Sequence, residues 1–196
     1  MHRYALTRLF EEQPEAFVRP LIAPALSTWS PGEFPPPLAG VRRFSVEWTP
    51  IRGGEPESLV ALRIEWQTEE LRRRCHHLDS ELDAIRSTVT LLSEHTTELA
   101  AYAVALCALG VVLPGRRVES FNPGQTPDLL LSPAGDVGVE VAGRSSGGLA
   151  ALKRLAAPNR NGRSNAERAG KRDWLRRSEH LTSAYLSLWR STRSKD

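Results

Sequence analysis

Pro127-Asp128-Leu129-Leu130-Leu131-Ser132-Pro133-Ala134-Gly135-Asp136-Val137-Gly138-Val139-Glu140-Val141-Ala142 reads as two strands and the turn that joins them. Ser132-Pro133-Ala134-Gly135 supplies the turn chemistry. Before it runs a short apolar strand, and after it a strand with valines at every second position. The acids make this stretch decisive. Asp128 heads the first strand behind a proline, and Glu140 stands between Val139 and Val141 on a strand that reads as central. Pairing across the turn can bring both carboxylates within reach of one hard cation.

Working outward, residues 116–121 form another strand candidate, ended by the turn signal Asn122-Pro123-Gly124. Upstream of it, residues 97–109 read as a strongly apolar helix with a lone acid, Glu98, near its start. Downstream comes a glycine-rich loop (Gly143, Gly147, Gly148) and a short apolar stretch. Ser164-Asn165-Ala166-Glu167 is then a capping box that opens a basic helix through about Ser178. In residues 181–189, Tyr185, Ser187 and Trp189 alternate with Ala184, Leu186 and Leu188, and the Thr, Tyr and Trp content predicts a strand. The order over residues 95–196 is therefore helix, three strands, helix, strand, an α/β domain with a small mixed sheet.

Residues 1–66 read as an N-terminal segment. Residues 3–18 suggest a short amphipathic helix interrupted by Pro14. Residues 20–37 are proline-rich and predict an extended connector rather than regular helix, with Trp29 and Phe34 as latches. Val41, Phe44, Val46 and Trp48, then Gly53-Gly54 and the apolar run 59–66, predict a β-hairpin. Residues 67–94 carry the cleanest periodicity. Leu71, Cys75, Leu78, Leu82, Ile85, Val89 and Leu92 fall on one a/d seam, which predicts a single long helix. That seam suits a homodimer or a protein partner docked through residues 71–92, and equally a helix packed within its own chain.

With 40% apolar and 25% charged residues in 196, the chain can bury a core and stay soluble. The N-terminus has no apolar signal region. The uncharged run 99–113 falls short of the ~20 residues of a membrane span, so no membrane association is expected. Cys75 and Cys107 have no metal-type spacing and read as reduced thiols of a cytoplasmic protein. The net charge of +3 is unevenly spread. From Gly143 onward there are thirteen Lys or Arg against four acids, and before it thirteen against nineteen. Such asymmetry fits either a face that meets a polyanion or a solvated basic tail. Only three lysines occur, Lys153, Lys171 and Lys195. A lysine can exchange a proton where an arginine cannot.

Phosphodiester hydrolysis needs a divalent cation to polarise the phosphate and activate a water, and a nearby ammonium to stabilise developing charge. Pro127-Asp128, then Glu140-Val141-Ala142, with Glu98 upstream and an αβββαβ order, resembles the PD-(D/E)XK restriction-endonuclease-like superfamily. The resemblance covers residues 95–196. It implies Mg²⁺- or Mn²⁺-dependent cleavage of DNA, or less often RNA, with Glu98, Asp128 and Glu140 as metal-binding catalytic acids. The family's lysine belongs two residues after Glu140, where this chain has Ala142. Lys171 on the basic helix, or Lys153, is the expected replacement, while Arg144 can supply charge only. Arg144, Lys153, Arg154 and Arg172 are the expected contacts to a nucleic-acid backbone. The alternative is a catalytically inactive subunit of the same fold that binds nucleic acid or protein and assembles through the 71–92 helix. Each residue also has a plain structural reading. Glu98 can serve the helix dipole, Asp128 can cap a turn, Glu140 can face solvent, and Lys171 can be a solvated helix charge.

Overall fold

The computed structural model describes residues 1–30, 40–48, 51–52, 55–56, 60–87, 93–122, 127–144, 154, 157–158, 161, 168 and 170–190. The chain opens with strand β1 (His2–Ala5), a 3-10 turn (Leu6–Arg8), and helices α1 (Leu9–Glu12) and α2 (Glu15–Trp29). Strands β2 (Arg42–Trp48), β3 (Ile51–Arg52), β4 (Glu55–Pro56) and β5 (Val60–Trp66) follow, then helices α3 (Thr68–Arg74), α4 (Leu78–Ser87) and α5 (Ser93–Val112). The last elements are β6 (Val118–Phe121), β7 (Leu129–Leu131), β8 (Val137–Arg144), α6 (Lys171–Arg176) and β9 (Ser183–Arg190).

The architecture is mixed α/β, with two small mixed sheets and the short β3–β4 pair. In the first sheet the order is β1-β5-β2. The predicted hairpin is present, with Arg42 opposite Trp66 and Trp48 opposite Val60, and β1 lies parallel on the other edge of β5. In the second sheet the order is β6-β7-β8-β9, antiparallel as far as β8 and parallel between β8 and β9. Residues 183–190 are thus a strand, as their alternation predicts. The far end of the β7–β8 turn is tied down by Asp136, which accepts from Arg116 at 3.0 Å and from the Thr182 hydroxyl at 2.6 Å.

Three sequence expectations need correction. Residues 3–18 are not one amphipathic helix, because Tyr4 is buried on a strand that takes the free edge of β5. The proline-rich segment is not extended from residue 20. Instead α2 runs to Trp29 with Pro20 and Pro24 inside it. Each internal proline removes a hydrogen bond and costs about 3 kcal/mol. The helix nevertheless buries Val18, Leu21, Ile22, Leu26 and Trp29, and each large apolar side chain contributes about 1.5–3 kcal/mol. The Ser27 and Thr28 hydroxyls both donate to the Pro24 carbonyl, at 2.9 and 2.8 Å. Trp29 latches as expected, stacked flat on Phe44 at 4.9 Å.

The third correction concerns the heptad helix, which is broken into α3 and α4 at Cys75–His77. The basic run Arg72-Arg73-Arg74 closes α3, and Asp79 and Glu81 open α4. Cations at a helix C-terminus and acids at an N-terminus both stabilise helix ends, so the charge pattern favours a stop and restart here. Arg72 spans the break to Asp79 at 2.9 Å. Leu71, Cys75, Leu78 and Leu82 are buried in the chain's own core, and Ile85 packs against it.

Helix α5 is the centre of that core, with α2 on one side and β8 and β9 on another. By length and composition its segment 95–112 could cross a membrane, yet 56% of it is buried inside the protein. A single apolar cluster runs from Tyr4 to Trp189. Phe34, Gly53-Gly54, Leu59, Val89, Leu92, the 123–124 part of the Asn122-Pro123-Gly124 turn, Gly147, Gly148, Lys153 and the 164–167 capping box lie outside the described residues.

Candidate active site

The β7–β8 register decides where the two acids go. Leu129 pairs with Val139, so one step outward sets Asp128 opposite Glu140. Directly opposed residues project to the same face of a sheet. Gly143 fixes which face that is. A Cβ at Gly143 would meet Ala101 Cβ and the Thr97 carbonyl of α5, both at 2.8 Å, so this glycine's face of β8 lies against α5. Strand alternation then turns Glu140 and Ala142 to the opposite face.

Both acids are almost fully removed from water, Asp128 at 2% and Glu140 at 1% exposure. A buried carboxylate is costly unless it is paired. Asp128 Oδ2 accepts the Val141 backbone N–H at 2.8 Å. Glu140 Oε1 is held by the Lys171 ammonium from α6, the helix that packs beside β9. Lys171 keeps 20% of its side chain exposed. Glu140 Oε2 is buried with no hydrogen-bond partner. Burial, and after it the neighbouring Asp128 charge, push the Glu140 carboxyl up to about 7 against the opposing pull of Lys171.

Glu98 is half-buried on α5, one turn before Tyr102, and its charge reaches the Tyr102 hydroxyl together with those of Asp128 and Glu140. Among the described residues, no three His, Cys, Asp or Glu side chains gather closely enough to hold a metal ion. Asp128 and Glu140 meet as a pair, and Glu98 stands apart from them on α5, one helix turn before Tyr102. Arg154 is exposed. Lys153 and the side chains of Arg144 and Arg172 lie outside the described residues.

Two participants escape a reading of the sequence. One is the Val141 amide, because backbone donors carry no side-chain signature. The other is Tyr102, a polar-tipped aromatic in an otherwise Ala-, Val- and Leu-rich helix, four residues after Glu98. That spacing places the two on one helix face and was the available signal.

Chemically, the pair offers hard oxygen donors from adjacent strands, one of them an unsatisfied buried oxygen, beside a lysine. This donor set fits Mg²⁺ or Mn²⁺, which need only one or two protein carboxylates and keep several waters. Lys171 supplies the compensating positive charge that such a cation would otherwise bring. Comparison of the chain with protein-family models, curated proteins and solved structures gives no match.

Proposed function

We propose that this chain is a metal-dependent nuclease with a restriction-endonuclease-like core that hydrolyses phosphodiester bonds in DNA or RNA. The observation that carries the proposal is the contact of Lys171 with Glu140 beside Asp128. Lys171 meets the strand acid on the face it shares with Ala142, where the motif lysine is missing. What supports the fold assignment is the strand order of the second sheet, with α5 against one face and Lys171 reaching Glu140 from the other.

In this reading Asp128 and Glu140 would hold Mg²⁺ or Mn²⁺, and such an ion would polarise the phosphate and lower the pKa of an attacking water. Asp128 is oriented by the Val141 amide, so its remaining lone pairs point in a fixed direction. The Lys171 ammonium offsets part of the acid pair's charge at rest and would donate to oxygens on which charge develops during hydrolysis. Burial strengthens each of these interactions, because little water competes. The excess of thirteen bases over four acids from Gly143 onward would hold the polyanionic backbone, Arg144, Lys153, Arg154 and Arg172 among them.

The near-complete burial of Asp128 and Glu140 favours a second reading, in which the Lys171–Glu140 pair is a structural tie in a fold that only binds. A rescue experiment separates the two. Lys171→Met should slow cleavage by about 10²- to 10³-fold, the usual effect of losing one preorganised donor. Adding Ala142→Lys to that variant, which returns an ammonium to the same face of β8, should recover much of the lost rate. Unchanged cleavage in Lys171→Met would remove the lysine from the chemistry.

A further inference from the structure

We infer that the outer edge of β2 is the interface for a second copy of this chain, the two β2 strands pairing antiparallel about a twofold axis at Ser45. In the first sheet β5 lies in the middle, with β1 on one side and β2 on the other. Among the described residues no strand pairs with the far side of β2. Such an edge presents a row of N–H and C=O groups to any strand that approaches, and proteins usually blunt it with proline, a bulge or a very short strand. β2 uses none of these. Its seven residues, Arg42–Trp48, include no proline and follow β5 residue for residue without a bulge. Trp29, stacked on Phe44 at 4.9 Å, and Trp189, edge-on to the same ring at 6.5 Å, hold the strand in place. Leu71, Cys75, Leu78 and Leu82 are buried in the chain's own core, so that stripe does not supply the face for a second copy.

The residues of β2 select the occupant. Arg43, Ser45 and Glu47 are exposed on one face, while Phe44 and Val46 lie half-buried on the other. A continuous sheet keeps like faces together, so odd-numbered residues of one copy must oppose odd-numbered residues of the other. Centred on Ser45, Arg43 opposes the partner's Glu47, and Glu47 the partner's Arg43. On the other face Phe44 then opposes the partner's Val46. Moving the centre to Phe44 or Val46 sets Ser45 against Arg43 or Glu47 and pairs no charges. A parallel pair in register would set Arg43 against Arg43. Within its own chain Arg43 reaches Glu65 at 3.4 Å, whereas Glu47 stands opposite Ala61 with no charge directly across. The second copy supplies that charge, and a twofold pairing of this kind closes on itself as a dimer.

The test is sedimentation of the full chain over a dilution series, with circular dichroism and melting as the check on folding. Wild type should sediment at twice the mass of one chain and dissociate on dilution, more readily at high salt, which screens exposed charge pairs. Glu47→Arg faces only Ala61 directly across in its own chain and should fold as wild type does. It sets like charges together at both symmetric positions, so the dimer should weaken by about 30- to 100-fold. Arg43→Glu should do the same. An equimolar mixture of the two variants should regain the dimer, because each strand again meets the opposite charge. Arg43→Glu also faces Glu65, so Ser45→Cys asks the same question without altering a charge. Its thiols meet at the axis, within reach of a disulfide. Mild oxidation should therefore cross-link two chains, and adding Glu47→Arg should abolish the cross-link. Wild type that stays monomeric throughout would give the edge to another protein's strand and overturn the inference. So would a dimer that Glu47→Arg leaves intact, folded variants that fail to pair when mixed, or a Ser45→Cys dimer that does not cross-link.

Discussion

Lys171 reaches across 31 positions of chain to Glu140, a carboxylate that the β7–β8 register sets opposite Asp128. That pairing has a measurable consequence for stability. Glu140 is raised in the folded protein to about 7, above its ordinary carboxylate value. The folded state therefore holds this proton more tightly than the unfolded chain. The group's stabilising contribution is complete below the unfolded pKa and is lost as pH rises through about 7. Lys171→Met removes the partner that opposes this loss. The variant should be destabilised by about 3–5 kcal/mol at pH 8, as for a buried charge stripped of its partner. The difference from wild type should shrink towards pH 5, where Glu140 is protonated in the folded state. Denaturant unfolding across that range gives the answer, and a pH-independent difference would mean that Glu140 does not carry the effect. The opposition of Asp128 and Glu140 was legible from strand alternation about the 132–135 turn, whereas the Lys171–Glu140 pair was legible only as one option among several, since a contact so distant in sequence leaves no periodic trace.

At the scale of elements, short signals with a fixed period or turn were readable, and those set by long-range packing were not. The β2–β5 hairpin, β6, β7, β8 and the strand at 183–190 follow from alternation and turn residues. Helix α2 did not, because its two prolines argue locally for extended chain while the burial that overrides them depends on α5. The α3–α4 break lay in view in the Arg72-Arg73-Arg74 run and the following acids, but the unbroken apolar stripe outranked it. Gly143 illustrates how one such contact places the site. Gly143→Ala would set a methyl 2.8 Å from Ala101 Cβ and the Thr97 carbonyl, forcing α5 off β8. Overpacking of this kind costs about 1–3 kcal/mol. A urea midpoint equal to that of wild type would show that α5 does not bear on β8 as described.

At the scale of the whole molecule, one apolar cluster joins the N-terminal strand, α2, α4, α5 and the second sheet. Gln13 ties the N-terminal segment to the start of β6, donating to the Arg116 carbonyl at 3.0 Å and accepting from the Val118 amide at 2.8 Å. The acid pair thus rests on a core to which both halves of the sequence contribute. The most direct test of its purpose is cleavage by the full chain of supercoiled plasmid and of single-stranded DNA and RNA, with Mg²⁺ or Mn²⁺ and then with EDTA. The account predicts cleavage that needs the cation and stops with EDTA. Asp128→Asn and Glu140→Gln should each abolish most of it, with little further loss in the double variant, because the two acids act as a unit. Absence of cleavage on every substrate, or cleavage that survives Asp128→Asn, would contradict it.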